Sequence, residues 1–260
     1  MLAVLIVLAC GATWIAPHDP YRIDLSSYAT PPGHVHPLGT DLTGRDVLSR
    51  LIYAARVSLS VGVVAVAIST AIGTSLGAVA GYYGRTADGV IMRLTDIVLS
   101  FPILVIIITI VAVVGPSIYN VMIVIGLLGW PTVCRIVRGM MLSLRAHEYV
   151  EAARAVGARD LRIIARHLLP NAIAPVVIAA TYGMATAILL EASLSFLGLG
   201  VQPPTASWGN MLNDAQSMSV LARMPWMWVP PGLMIAAAVL SINFLGDGLR
   251  DALDPRIRIS

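Results

Sequence analysis

The amino-acid sequence predicts an all-α, polytopic membrane helix bundle with about six transmembrane helices. Of its 260 residues, 57% are hydrophobic and only 12% are charged, and the mean hydropathy is +0.82. A soluble domain carries about 25% charged residues. A chain with half of that proportion cannot hydrate its whole surface, so we expect much of the surface to face lipid.

Six apolar runs are the candidate transmembrane helices, because a helix needs about 20 mostly apolar residues to cross a bilayer. The predicted spans are residues 2–16, 57–82, 97–114, 118–137, 174–197 and 228–245. The first run is short for a span. The fourth contains Gly129-Trp130-Pro131, where we expect an interruption because proline has no N–H to donate.

The distribution of arginine predicts the orientation, because cytoplasmic loops carry an excess of basic residues. Twelve of the 17 arginines fall on one side of the predicted spans and five on the other. The richer side, with both termini, is therefore predicted to be cytoplasmic. We divide the chain into residues 1–56, a first transmembrane helix and an extracytoplasmic loop, and residues 57–260, a five-helix core with a cytoplasmic loop at about 138–173.

The basic residues also exclude one function. All 17 are arginine and none is lysine. A phosphate-binding P-loop needs a lysine on the nucleotide phosphates, so this chain cannot bind ATP in that way. The sequence contains neither a nucleophile elbow nor a zinc-helix signature. We therefore expect a non-catalytic chain with no cofactor of its own, and the net charge of +3 gives no nucleic-acid footprint.

The stretch 143–167, inside the predicted cytoplasmic loop, is rich in helix-forming residues and contains no proline and one glycine. It predicts two short helices joined near Gly157, the second amphipathic and able to lie on the inner leaflet. Pro170 is expected to end this second helix before the next span. The small residues Ala152, Ala153 and Gly157 would let the backbone of another protein come close.

The tripeptide 151–153 (Glu-Ala-Ala), Gly157 and the segment 167–170 (His-Leu-Leu-Pro) together resemble the EAA loop of permeases of ATP-binding-cassette (ABC) importers. In that family the loop is a coupling helix that docks on a cytoplasmic ATPase. Further segments are similar to the OppC/DppC type of dipeptide, oligopeptide and nickel permeases. They are residues 38–41, 44–50, 55–59, 96–102, 166–171, 191–200, 207–209 and 243–255. The resemblance covers about residues 36–258.

This resemblance implies a type I ABC importer permease fold in the plasma (inner) membrane of a bacterium. The implied function is inward translocation of dipeptides, oligopeptides or related small solutes, with nickel chelates and haem left open. The implied partners are a second homologous permease, two cytoplasmic ABC ATPase domains that bind ATP and Mg²⁺, an extracytoplasmic substrate-binding protein and the lipid bilayer. The residues implied to couple to the ATPase are Glu148, Tyr149, Glu151, Ala152, Ala153, Arg154, Gly157, Ala158, Leu169 and Pro170.

Three residues are candidates for the translocation pathway. Glu191 is a carboxylate in an apolar run, and charge inside a membrane is costly and often functional. A structural hydrogen bond is the alternative role. Trp130 and Pro131 are further candidates, because irregular backbone is tolerated beside a cavity. A simple packing kink would give the same sequence pattern.

Gly73, Gly77 and Gly81, spaced by four, predict close helix packing, inside this subunit rather than against the partner permease. The predicted outer loop also carries three histidines, His18, His34 and His36. Loop histidines without further ligands are usually polar loop residues, so no metal site is predicted.

Two other functional classes stay open at this point. One is a self-sufficient secondary transporter or channel driven by an ion gradient, which would use intramembrane carboxylates as coupling sites. The other is a membrane scaffold without transport. Uptake by the purified chain alone would favour the secondary transporter, whereas an importer permease predicts none.

Overall fold

Helices form the framework of the structure, a computed structural model that describes residues 1–253. In chain order they are α1 (Leu2–Cys10), α2 (Ala12–Ile15), α3 (Val47–Tyr83), α4 (Arg85–Ser100), α5 (Ile103–Val114), α6 (Ile118–Leu144), α7 (Glu148–Ala155), α8 (Asp160–Ile163), α9 (Leu169–Phe196), α10 (Trp208–Asp214), α11 (Met218–Arg223) and α12 (Pro225–Leu253). A 3₁₀ turn covers Leu25–Ser27, and a π turn, Ile164–Leu168, joins α8 to α9. Residues 1–253 contain no β-strand, and the predicted all-α class is confirmed.

Four stretches are long and apolar enough to cross a membrane: α3, α6, α12 and Asp160–Phe196, which includes α9. Helices α4 and α5 are long and apolar enough to cross a membrane only when they are taken together. They are bent by 85° at the break between them. The described residues therefore hold four spans, or five if the bent pair is one span. The polytopic class is confirmed, with fewer spans than the six predicted. The Asp254-Pro255 motif, Arg256 and Arg258 lie outside the described residues.

The predicted first span, residues 2–16, is two short helices, α1 with nine residues and α2 with four, which meet at Gly11. At 1.5 Å per residue, α1 is about 14 Å long, roughly half the thickness of the hydrocarbon layer. Leu5 and Ala9 of α1 are buried against α3 and α12. The described helices of this predicted first span, Leu2–Cys10 and Ala12–Ile15, do not by themselves reach the length of a membrane span.

The predicted third span, residues 97–114, crosses the break between α4 and α5. Phe101 is extended (φ −103°, ψ 145°), and Pro102 precedes the first residue of α5. Proline lacks an N–H and disfavours the helical conformation of the residue before it. The predicted span therefore contains a sharp bend, which the uniform hydropathy of this run does not reveal.

Helix α3 begins at Val47, before the predicted start at residue 57. Asp46 caps it, because its carboxylate accepts a hydrogen bond from the N–H of Ser49 at 2.8 Å. The proposed division between residues 56 and 57 therefore falls inside one continuous helix, and the division into two regions stays a prediction.

An ion cluster fastens this end of α3 to α10. The buried Arg50 donates to Asp41 at 2.6 Å and to Asp214 at 3.0 Å, and Arg45 donates to the same two carboxylates at 2.7 and 3.3 Å. Burial alone would raise the pKa of Asp41, but Arg50, the Thr43 hydroxyl and Arg45 together hold that pKa below its usual value. Buried charges need such partners, which explains how charged residues are accommodated in the first turns of α3.

Helix α6 continues through Pro131, so the predicted interruption of the fourth span was wrong. Close packing against α3 on both sides of this proline holds the helix. A Cβ added at Gly73 would lie 2.7 Å from the Trp130 carbonyl oxygen, and one at Gly77 would lie 2.6 Å from the Cys134 carbonyl oxygen. The glycines of α3, including Gly81 beside Met141, thus let the two backbones approach within this subunit.

Residues 16–46 and the predicted coupling loop lie at opposite ends of α3. Residues 16–46 lead into its first turn, and the predicted coupling loop contacts its last turn. With 37 residues, α3 is about 55 Å long, enough to separate the two regions by the thickness of a membrane.

Candidate functional site

The predicted coupling loop contains two short helices, α7 and α8, that meet at a turn containing Gly157. Gly157 has φ +81°, in the left-handed region that favours glycine. Its N–H donates to the Arg154 carbonyl at 2.9 Å, and the Ala158 N–H donates to the Ala153 carbonyl at 3.0 Å. This pair of hydrogen bonds is the Schellman motif, which ends a helix at a glycine. Two short helices joined near Gly157 are what the sequence predicts.

Gly157 allows the left-handed backbone conformation of this turn and makes no close contact inside the chain. No atom lies within 4 Å of the position that its Cβ would take. One fully buried side chain, Val150, anchors α7. The exposed residues of this region are Glu148, Tyr149, Glu151, Ala152, Arg154, Ala155, Val156 and Gly157. The surface that α7 and its turn present is therefore open.

Two exposed apolar side chains flank this turn, and the sequence analysis assigned neither of them to the coupling surface. Val156 is 85% exposed and Leu161 is 76% exposed. An apolar side chain on either side of a helix-ending glycine was the signal that could have identified them. The next apolar residues, Ile163, Ile164 and Leu168, are buried against α6. The second helix therefore turns these residues into the protein, and the prediction that they lie on the lipid leaflet was wrong.

Four contacts join the predicted coupling loop to the last turn of α3. The Tyr82 hydroxyl hydrogen-bonds Asp160 at 2.6 Å, and the guanidinium carbon of Arg154 lies 5.3 Å from the centre of the Tyr82 ring. Arg145 donates to the carbonyl oxygens of Gly81 and Tyr82, both at 3.0 Å. These carbonyls end a long helix, so a cation there satisfies unpaired acceptors and opposes the negative end of the helix dipole. The sequence analysis missed Tyr82, Arg145 and Asp160 as residues of this site.

The predicted coupling loop is also continuous with the membrane helix that follows it. Pro170 lies in the first turn of α9, directly after the π turn, and it does not end the preceding helix as predicted. The π turn Ile164–Leu168 carries the helical path from α8 into α9. Of the predicted coupling residues, Leu169 and Pro170 lie in α9, and the other eight lie on α7 and in the turn after it.

A cavity of about 350 Å³ lies between α3, α6 and α9. Its lining is mainly apolar, and the hydroxyl-bearing residues in it are Ser69, Thr70, Thr132, Tyr182 and Thr186. Pro131 is one of the lining residues. Trp130 is buried in a separate apolar cluster with Ala80 and Ile91, so the structure does not bring Trp130 and Pro131 to the same surface.

Glu191 is fully buried and does not line this cavity. Its carboxylate accepts hydrogen bonds from the Ser58 hydroxyl at 3.0 Å and from the Ser195 hydroxyl at 2.7 Å. The Ser58 hydroxyl oxygen in turn accepts a hydrogen bond from the backbone N–H of Trp208 at 3.3 Å. Glu191 therefore joins α3, α9 and α10, and these contacts favour the structural hydrogen bond over the pathway role.

The chain is similar in sequence to known transport proteins. A protein-family model described as "Binding-protein-dependent transport system inner membrane component" matches residues 73–259. The dipeptide transport system permease protein DppC of Alkalihalophilus pseudofirmus is 47% identical over 227 residues, which cover 87% of this chain and 74% of that protein. The glutathione transport system permease protein GsiD of Escherichia coli O6:K15:H31 is 46% identical over 256 residues, 98% of this chain and 84% of that protein.

One solved structure also resembles the chain. It belongs to the MetNI methionine ABC transporter in an inward-facing conformation, and it superimposes with a TM-score of 0.60 at 18% sequence identity. The match covers 78% of this chain and 96% of the other. At this identity the likeness is one of fold.

Proposed function

The chain belongs to the family of binding-protein-dependent transport system inner membrane components, and from that premise we propose that it is the permease subunit of an ABC importer that carries peptides into the cell. It is a multi-pass membrane protein. The relatives named above are permeases for dipeptides and for glutathione, which is itself a short peptide. Short peptides are therefore the proposed substrate class, with dipeptides and oligopeptides its first members.

The observation that carries the proposal is the mechanical continuity of the coupling loop. Its exposed helix α7 ends at Gly157, α8 runs through the π turn into α9, and Tyr82 ties the loop to α3. A force applied at α7 is therefore passed to two membrane helices that border the cavity of about 350 Å³. A loop that only connected two spans would not need the attachment to α3.

The force is proposed to come from partner proteins. With no lysine, the chain has no P-loop to bind ATP, so two cytoplasmic ATPase domains are the proposed source and the proposed site of ATP and Mg²⁺. In this arrangement the coupling loop is cytoplasmic, and residues 16–46 face an extracytoplasmic substrate-binding protein. A second, homologous permease completes the pathway. The proposed membrane is the bacterial plasma membrane.

Substituting Gly157 in the assembled importer tests this proposal. We expect Gly157→Arg to reduce ATP-dependent peptide uptake about tenfold or more, because a long charged side chain would stand in the open surface that is proposed to meet the ATPase. Gly157→Asn should keep most of the uptake, since asparagine tolerates the left-handed conformation. The readout is uptake of a labelled dipeptide into proteoliposomes that contain all subunits.

Gly115 offers a matched control, because it also has a positive φ (+102°), lies in open space and sits between α5 and α6, at the far end of α6 from the coupling loop. Gly115→Arg imposes a similar backbone strain but lies away from the surface proposed to meet the ATPase, so we expect it to reduce uptake much less than Gly157→Arg does. Equal losses from Gly115→Arg and Gly157→Arg would count against coupling through this loop. Uptake by the purified chain alone, driven by an ion gradient, would instead support a secondary transporter, which the family membership does not favour.

A further inference from the structure

Two histidines and one aspartate converge in the region that leads into α3. The Nδ1 atom of His36 lies 2.9 Å from Oδ1 of Asp46, and Nδ1 of His18 lies 3.8 Å from the same oxygen. Each residue can offer one ligand atom such that the three atoms lie within 4.8 Å of one another. The two imidazole rings are 4.9 Å apart. His34, the remaining histidine of this region, is not a member of the cluster.

The backbone holds His18 in place over the start of α3. Its N–H donates to the Ser49 hydroxyl oxygen at 3.0 Å, and that hydroxyl donates to Oδ2 of Asp46 at 2.7 Å. Oδ2 also accepts the Ser49 N–H. One carboxylate oxygen of Asp46 thus caps the helix, and the other, Oδ1, is left facing the two histidines.

His36 is held by a tight turn. The N–H groups of Gly33 and Gly39 both donate to the His36 carbonyl oxygen at 2.9 Å. Gly39 has φ +70°, which a residue with a side chain rarely adopts. Both histidines are therefore placed by backbone contacts that do not depend on their rings. Such a prearranged set of side chains is what a binding site requires.

The charge around the cluster favours a cation. The cleft, of about 200 Å³, is lined by His18, His36 and Asp46 and also by Asp19, Asp24 and Arg22. Three carboxylates face one guanidinium there, which leaves two negative charges when the histidines are neutral. His18 is 38% exposed, whereas Asp46 is 1% exposed, so the cleft opens to solvent on the His18 side.

A helix-cap role alone explains only part of this geometry. The 2.9 Å contact between His36 and Asp46 is a hydrogen bond that would steady the cap. His18 lies at 3.8 Å, beyond hydrogen-bond distance, yet its Nδ1 faces the same oxygen. A second imidazole nitrogen directed at one carboxylate oxygen without bonding to it is the arrangement that a shared cation would use.

We propose that His18, His36 and Asp46 form a binding site for a first-row divalent cation of the Zn²⁺ type, with water completing the coordination. Neutral imidazole nitrogens and a carboxylate oxygen are ligands that suit Zn²⁺, and three protein ligands plus water are a known set. With bonds of about 2.0 Å in a tetrahedron, ligand atoms lie about 3.3 Å apart. The separations of 2.9 and 3.8 Å from Asp46 bracket that value, and all three ligand atoms lie within 4.8 Å of one another, so a shift of the exposed His18 ring would form the site. The ion would tie the segment after α2 to the first turn of α3, and this inference does not depend on the transport function.

The test uses the full chain in lipid nanodiscs, stripped of metal and titrated with ZnCl₂ in a calorimeter. We expect one Zn²⁺ per chain, and His18→Ala should weaken the binding by about tenfold or more. His18→Ala removes a half-exposed ring and keeps the backbone bond to Ser49, so the fold should be retained. His34→Ala is the matched control and should bind Zn²⁺ as the unchanged chain does.

A second variant separates the metal site from the helix cap. His36→Asn keeps a side-chain N–H that can donate to Asp46 but removes the imidazole ligand. It should therefore retain the fold and lose Zn²⁺ binding. Zn²⁺ should also slow amide hydrogen exchange across residues 17–49 in the unchanged chain and not in His18→Ala. Absence of stoichiometric binding, or binding that both His18→Ala and His36→Asn leave intact, would overturn the proposal.

Discussion

Single side chains connect the proposed coupling loop to the membrane helices, and Tyr82 is the clearest of them. Its hydroxyl hydrogen-bonds Asp160 and its ring faces Arg154, so one residue at the end of α3 contacts both helices of the loop region. The hydrogen bond involves a carboxylate, which makes it stronger than a neutral one. The contact is partly exposed to water, so its loss should affect coupling more than folding.

We predict that Tyr82→Phe reduces ATP-dependent uptake severalfold and leaves the thermal stability of the purified chain nearly unchanged. The substitution removes the hydroxyl and keeps the ring for Arg154. The matched control is Tyr83→Phe, because Tyr83 is adjacent, half exposed and packed edge-on against Tyr82. Uptake in reconstituted complexes is the measurement. If both variants transport equally well, the Tyr82–Asp160 contact does not transmit force.

Glu191 is the residue for which the sequence left two roles open. We predict that Glu191→Ala lowers the free energy of unfolding by about 3 kcal/mol, because it leaves two serine hydroxyls without their acceptor and opens a void. Glu191→Gln, which keeps one oxygen acceptor, should cost about 1 kcal/mol. Thermal unfolding of the chain in detergent measures both. The exposed Ser193→Ala on the same helix is the control.

A pathway role for Glu191 would produce a different result. Glu191→Ala would then leave the unfolding temperature unchanged while uptake fell. Such an outcome would contradict the structural role inferred from its contacts with Ser58 and Ser195.

Among the helices, the pair α3 and α6 shows how sequence spacing becomes packing. Gly73 and Gly77 face backbone carbonyls of α6, which cannot move aside as the tip of a long side chain can. Glycines four apart lie on one face of a helix, so a stripe of them lets a second helix come close along its length. The bend between α4 and α5 arises from proline and not from glycine. Pro102 prevents one continuous helix from running through both segments.

We predict that Gly77→Ala destabilises the chain by about 1–3 kcal/mol, because its Cβ would lie 2.6 Å from the Cys134 carbonyl oxygen and would force the helices apart. Gly139→Ala on α6 is the matched control, since no atom lies within 4 Å of its Cβ position. That control should be neutral or stabilising by up to about 1 kcal/mol, because alanine favours helix. Equal thermal stability of the two variants would contradict the packing role of the stripe.

For the whole molecule, hydropathy predicted the class and most spans because lipid forces each crossing segment to be apolar and internally hydrogen-bonded. It failed where the deciding partner is distant in the chain. The early start of α3 depends on Arg50 meeting Asp41 and Asp214, and the clasp of the coupling loop depends on Tyr82 meeting Asp160. The residues around any one of these positions do not predict its distant partner.

The candidate site was predictable where it depends on a local motif and not where it depends on residues distant in the chain. The exposed residues of α7 and the glycine turn follow from a local motif, so their positions could be foreseen. The cluster of His18, His36 and Asp46 could not, because it forms only when residues 16–46 fold back over the start of α3. Packing separates the two neighbouring candidates for the pathway, because Trp130 is buried in an apolar cluster and Pro131 lines the cavity.

The unbroken length of α3 has a consequence for how the two faces of the membrane communicate. Its 37 residues contain no proline, one end is clasped by Tyr82 and the other is locked by the ion cluster around Arg50. In the orientation proposed above, a helix without a proline break would pass a rotation of its cytoplasmic end on to its extracytoplasmic end. Equilibrium linkage runs both ways. A protein that docks on the outer rim and favours one rotation would thereby change how tightly the inner partners hold their nucleotide, by the same factor in each direction.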